Sequence, residues 1–163
     1  MTTLARFTAL HLSLGRGFES IQSPLLLGTR LWVSWQFLIA GWLKLTTWDT
    51  TLELFRSEYQ VPLLPPTVAA VAGTFGELFF PLLIVLGLFT RIGALGLFAV
   101  NVMALISYWH VIGGDGFEAA RGQHHLWGLM LLVLAAFGAG RFSLDAWLEK
   151  RAARLATGAV SAR

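Results

Sequence analysis

Cysteine is missing from all 163 residues. Its absence excludes disulfides, thiolate metal ligands and thiol chemistry within this chain. Charge is scarce too: Asp, Glu, Lys and Arg together make up 13%, where an ordinary soluble domain carries about 25%. The sequence pI is near 10.0, but the basic residues form no stripe interleaved with aromatics, so nucleic acid is not the expected partner. Walker loops, dinucleotide fingerprints and nucleophile elbows are all absent. The amino-terminal apolar stretch is broken by His11, Arg16 and Glu19 and precedes no small-residue cleavage site, so no cleaved signal peptide is expected.

What remains is apolar. Hydrophobic residues reach 56%, the mean hydropathy is +0.67 and seven tryptophans are present. Four apolar segments stand out, at about 24–45, 67–89, 91–110 and 123–140. Each approaches or exceeds the roughly 17–25 residues that cross a bilayer. A soluble bundle would need a polar face on each helix, and these segments have almost none. The expectation is one all-α membrane domain: a transmembrane four-helix bundle with a short interfacial helix after the first span. Trp48, Leu52, Phe55 and Tyr59 recur at spacings of four, three and four, which places that amphipathic helix at about 48–59. Pro62, Pro65 and Pro66 then end it and start the second span. Leu4, Phe7, Leu10, Leu14, Phe18 and Ile21 suggest a similar helix in the amino-terminal arm.

Lysine and arginine set the orientation. Arg6 and Arg16, Arg91, and the group Arg141, Lys150, Arg151, Arg154 and Arg163 fall on one side. Arg56 and Arg121, with Lys44 at a helix end, fall on the other. The positive-inside rule places both termini, with arms 1–23 and 141–163, in the cytoplasm.

Polar residues inside the spans point to function. On the first span Arg30, Ser34, Phe37, Gly41 and Lys44 form one stripe, which faces the bundle because the opposite face is Trp, Leu, Val and Ile. Glu77 stands alone in the run 67–89, near mid-depth. An unpaired charge there costs roughly 2.5–3.5 kcal/mol. Arg30 is its expected partner, with Lys44 a second cation free to reach water. Asn101 on the third span is expected to hydrogen-bond a neighbouring helix. His110 and His124, with His125, Asp115 and Glu118, cluster at the outer side; His110 and His124 are candidate metal ligands, although their spacing fits no strong ligand motif. At the inner end Ser143 is read as the cap of the last helix, with Asp145 in its first turn.

Arg30, "GWLKL", "EYQVPLLPP", "GELFFPLLIVLGLFTR" and "GAGRFSLD", in this order, resemble the DoxX family over residues 25 to about 148. The resemblance implies a small four-helix protein of the bacterial inner membrane. Its members include a subunit of an archaeal thiosulfate:quinone oxidoreductase and components of oxidative-stress and thiol-oxidant complexes. This chain departs from the pattern at Val100, Asn101 and Val102. Its "RGQHHLW" is similar to a subset associated with metal-responsive, peptide-modifying gene clusters.

The leading expectation is therefore a membrane subunit or accessory of a redox system. Glu77 is its catalytic candidate, Arg30, Lys44, Glu77 and Asn101 bind a ligand, and a non-covalent quinone is the cofactor. Electrons would come from a protein partner, since no haem or flavin site is evident. The alternative is a non-catalytic membrane module that assists a periplasmic metal- or peptide-handling partner, with metal held by His110 and His124. The lipid bilayer is the other partner, self-association into a homo-oligomer is compatible with the small-residue faces, and nucleic acid is excluded.

Overall fold

The computed structural model describes residues 3–161, with the side chains of 3–6, 8–10, 15–16 and 156–161 outside that description. Leu4 and Leu10 of the amino-terminal stripe, and Arg6, Arg16 and Arg163 of the charge asymmetry, therefore lie outside it. Seven helices and no strand occur among the described residues: α1 (Thr3–Thr46), α2 (Trp48–Ser57), α3 (Pro66–Leu86), α4 (Thr90–Ser107), α5 (Trp109–Ile112), α6 (Glu118–Phe137) and α7 (Leu144–Ser161).

The amino-terminal arm is not a separate helix. It continues into the first apolar segment as one helix of 44 residues with Pro24 inside it, about 66 Å long at 1.5 Å per residue. Proline forfeits a single backbone donor, and the helix tolerates that loss. The next boundaries follow ordinary rules. Pro66 opens α3 behind Pro65, whose extended backbone (φ −59°, ψ 145°) cannot continue a helix. Gly87 ends α3 in the left-handed conformation (φ 66°), and the Leu88 N–H bonds back to the Leu83 carbonyl at 3.0 Å.

Four long helices pack in a ring, with α1 beside α3, α3 beside α4, α4 beside α6, and α6 returning to α1. The interior holds Leu26, Val33, Phe37, Ile84, Ala94, Leu97, Leu131 and Leu134. Large apolar side chains such as Trp32, Trp35, Trp42, Phe75, Leu82, Ile92 and Leu129 point outward instead. Water would not favour that arrangement, whereas hydrocarbon does, and close helix approach then relies on small residues inside. A Cβ added at Gly41 would lie 3.0 Å from the Cβ of Glu77, so α1 and α3 meet there almost backbone to backbone. α3 and α4 are each long and apolar enough to cross a membrane. Along α1 and α6 the apolar character is diluted by Arg30 and Gln36, and by Gln123, His124 and His125. α2 lies across the start of α3, where Phe55 packs on Ala69 and Ala70.

One end of the ring is tied by charges on helix termini. Arg30, 1% exposed, donates from Nε to the Ile84 carbonyl (2.7 Å) and from Nη2 to Val85 (2.7 Å). Its Nη1 donates to Ala139 (3.0 Å) and Phe142 (2.8 Å). Those carbonyls close α3 and follow α6, so one cation serves two helix ends where the macrodipole is negative. Arg91 Nη1 does the same at Ala135 (3.0 Å) and Ala136 (2.6 Å). The positive end of α4 receives an anion: the Phe89 and Thr90 N–H groups donate to the Asp145 carboxylate at 2.8 and 3.0 Å. Ser143 does cap α7, accepting from the Ala146 N–H at 3.2 Å. Asp145, expected to serve the first turn of its own helix, reaches across to α4.

Replacing Arg30 by Met leaves buried carbonyls of α3 and the α6–α7 connection without a donor. Reversible unfolding in mixed micelles is expected to show a loss of about 3 kcal/mol or more. Arg30→Lys is expected to recover only part of it, because an ammonium has three donors in place of a planar fork of five. Stability within about 0.5 kcal/mol of the parent for Arg30→Met would contradict this role.

Candidate functional site

The pairing expected between Arg30 and Glu77 does not form. α1 and α3 run antiparallel, and Gly41 lies level with Glu77 while Arg30 lies level with Ile84 and Val85. Seven residues of helix, about 10 Å, separate that level from Glu77. Lys44, one turn beyond Gly41, is the cation at the right depth. Its Nζ donates to both carboxylate oxygens of Glu77, at 2.8 Å to Oε1 and 2.6 Å to Oε2. Lys44 was expected to reach water; instead its side chain is 22% exposed and that of Glu77 is 9% exposed. The α1 backbone near the pair is also held, because Thr51 Oγ1 of α2 donates to the Lys44 carbonyl at 3.0 Å.

The pair stands in the wall of a cavity of about 570 Å³. α1 contributes Gln36, Phe37, Ala40 and Lys44. Phe80, Val100, Met103 and Trp127 supply much of the apolar surface, and Tyr59, Tyr108 and His124 supply polar groups. α2 and the segment 59–64 roof one side. Phe55, Tyr59 and Tyr108 stack edge to face with centroids 4.8 and 5.2 Å apart, and the Gln60 N–H bonds the Ser107 carbonyl at 2.9 Å. Burial pushes the Tyr59 phenol above its ordinary value, and the neighbouring Tyr108, Glu77 and Glu58 add to the shift. Tyr59 therefore stays a protonated donor at any physiological pH.

His124 is fixed from behind. Asn101, 3% exposed, donates from Nδ2 to the His124 carbonyl (2.9 Å), and its Oδ1 lies 2.8 Å from His124 Nδ1. Trp127 packs edge-on against the imidazole at 5.0 Å and against Phe37 at 5.5 Å.

Of the residues singled out from the sequence, Lys44, Glu77 and His124 line this cavity. Asn101 touches it only through His124, as the interhelix hydrogen bond expected of it. Arg30 serves the opposite end of the bundle. His110 is exposed and packs edge-on against Tyr108 at 5.8 Å. Among the described residues no group of three or more His, Cys, Asp and Glu comes together as a metal site. Gln36, Tyr59, Tyr108 and Trp127 were not anticipated as cavity residues. Of these, Tyr59 left a trace in the sequence as the last member of the α2 stripe, and Tyr108 as a residue near the Asn101 face of the third span.

Comparison with known proteins agrees with the motif resemblance. The DoxX family profile matches residues 25–110, just over half of the chain. An uncharacterized protein of Haemophilus influenzae is 26% identical over 129 residues, covering 77% of this chain and 83% of that relative. No solved structure matches the chain.

A double-mutant cycle tests the ion pair. Glu77→Leu and Lys44→Met are each expected to destabilise by about 2–4 kcal/mol, because each strands the other group in an apolar wall. The double variant is expected to cost no more than either single one, giving a coupling of at least about 2 kcal/mol. Additive losses would show that the two side chains act independently.

Proposed function

This chain belongs to the DoxX family of membrane proteins, and we propose that its cavity binds a lipid-soluble quinone as part of a redox system of the bacterial inner membrane. One observation carries the reading: a hydrogen-bonded Lys44–Glu77 pair set in the wall of an otherwise mainly apolar cavity. The cavity volume of about 570 Å³ falls in the usual range for small-molecule sites. A quinone ring needs flat apolar walls and a few donors at its oxygens. Phe37, Phe80 and Trp127 supply the walls, and Lys44 and Tyr59 supply donors. When bound, the quinone supplies two-electron chemistry coupled to two protons.

The chain's own residues would do the rest. Lys44 uses two of its three N–H donors on Glu77, which leaves one for a ligand oxygen. Glu77 is the group able to hold or release a proton at Oε1 or Oε2, and Lys44 fixes where that carboxylate points. The apolar walls exclude bulk water. With no cysteine in the chain, and no donor cofactor in the proposal, the electrons come from a partner subunit. The bundle would cross the membrane four times, through the outer part of α1 and through α3, α4 and α6. Arg30 is compatible with a span because four of its five N–H donors are spent on carbonyls. Both termini would lie in the cytoplasm, with α2 on the periplasmic side.

Two experiments test this. Extraction of the chain in mild detergent is expected to yield about one quinone per protein, and Glu77→Gln about tenfold less; absence from the parent, or equal amounts in both, would reject the reading. The cysteine-free background suits labelling: a membrane-impermeant maleimide is expected to modify Glu53→Cys in intact spheroplasts and Lys150→Cys only after lysis. The reverse pattern would overturn the orientation.

A further inference from the structure

Asn101 determines which nitrogen of His124 carries a proton. Its Nδ2 faces the His124 main-chain carbonyl (2.9 Å), which can only accept, so the amide has one workable orientation. Oδ1 is then the atom facing the imidazole, and at 2.8 Å it requires a hydrogen on Nδ1. Gly128, one turn along α6, lies beside this amide: an added Cβ would stand 3.4 Å from Asn101 Nδ2. Trp127 holds the ring's tilt from the side. In the neutral imidazole Nε2 is therefore an acceptor. It has no protein partner among the described residues, and His124 lines the cavity.

We infer that the cavity selects a ligand whose head group carries a hydroxyl donor, the hydroquinone in preference to the quinone, with His124 Nε2 accepting from that hydroxyl. This rests on the quinone-class reading of the cavity. Lys44 and His124, which both line the cavity, then offer complementary chemistry. The spare Lys44 N–H donates, Nε2 accepts, and a hydroxyl oxygen satisfies both because it accepts and donates at once. A quinone carbonyl satisfies Lys44 and leaves Nε2 unpaired. Sites built to pair a substrate hydroxyl discriminate sharply against analogues that lack it, because the protein group is then stranded away from water. Asn101 acts here as a positioning residue, through the tautomer it imposes.

The test needs no variant at first. The full chain in nanodiscs is titrated anaerobically, by calorimetry, with tetramethylhydroquinone, with tetramethylbenzoquinone, and with the dimethyl ether of the hydroquinone. The hydroquinone is expected to bind about tenfold more tightly than either of the others. His124→Phe is expected to remove that advantage, because the quinone and the ether then leave no acceptor unpaired. Asn101→Leu, which frees the imidazole to present either nitrogen, is expected to shrink the preference. Equal binding of all three compounds by the parent would overturn this inference and leave the cavity reading standing. Tighter binding of the quinone would show Nε2 donating and would overturn it as well. Binding of none would remove the cavity reading together with this one.

Discussion

The constraint on which the structure depends is the cost of an unmatched charge in a low-dielectric interior. α1 carries two cations on its buried stripe, fourteen residues apart, about 21 Å along the helix. They are matched in different ways. Arg30 meets main-chain carbonyls, which are fixed in place once α3 and α6 end where they do. Lys44 meets a carboxylate on a side chain. The first solution spends four N–H donors on the main chain. The second leaves a donor, a titratable group and a cavity beside them.

The two ends of the bundle diverge accordingly. At the Arg30 end, Gly87 turns the chain tightly enough for Asp145 to reach the amino terminus of α4, and an added Cβ at Gly87 would stand 2.5 Å from the Cβ of Ser143 and 2.6 Å from Arg30 Nη2. At the Lys44 end the cavity is bordered by α2 and by the aromatic stack of Phe55, Tyr59 and Tyr108. Small residues on α3 and α4, including Ala72, Gly73, Gly96 and Ala99, make room between them. Rigidity at one end and space at the other are what a positioned binding site requires.

Much of this was legible in the residues. Low charge and long apolar segments gave an all-helical membrane protein. The stripe from Arg30 to Lys44 does face inward, and Glu77 does find a cation. The identity of that cation was not readable, because it depends on the register of two antiparallel helices, and register is set by close approach at Gly41. The partners of Arg30 were hidden for a different reason: main-chain carbonyls leave no mark in a sequence. Asp145 looked like a local first-turn residue since its true recipients, Phe89 and Thr90, lie more than fifty residues away. Asn101 was recognisable as an interhelix hydrogen-bonding group, but that it would hold His124 depended on how α4 and α6 meet.

A carboxylate held by one specific cation is the feature from which the proposed ligand site follows. Magic-angle-spinning NMR in lipid bilayers, with the side-chain nitrogens of lysine and arginine and the side-chain carboxyl carbons labelled, reads it directly. The account predicts a strong dipolar contact between Lys44 Nζ and the Glu77 carboxyl carbon, and none from Arg30 to that carbon. A contact from the Arg30 guanidinium to Glu77, or a Lys44 ammonium in exchange with bulk water and remote from the carboxylate, would contradict it.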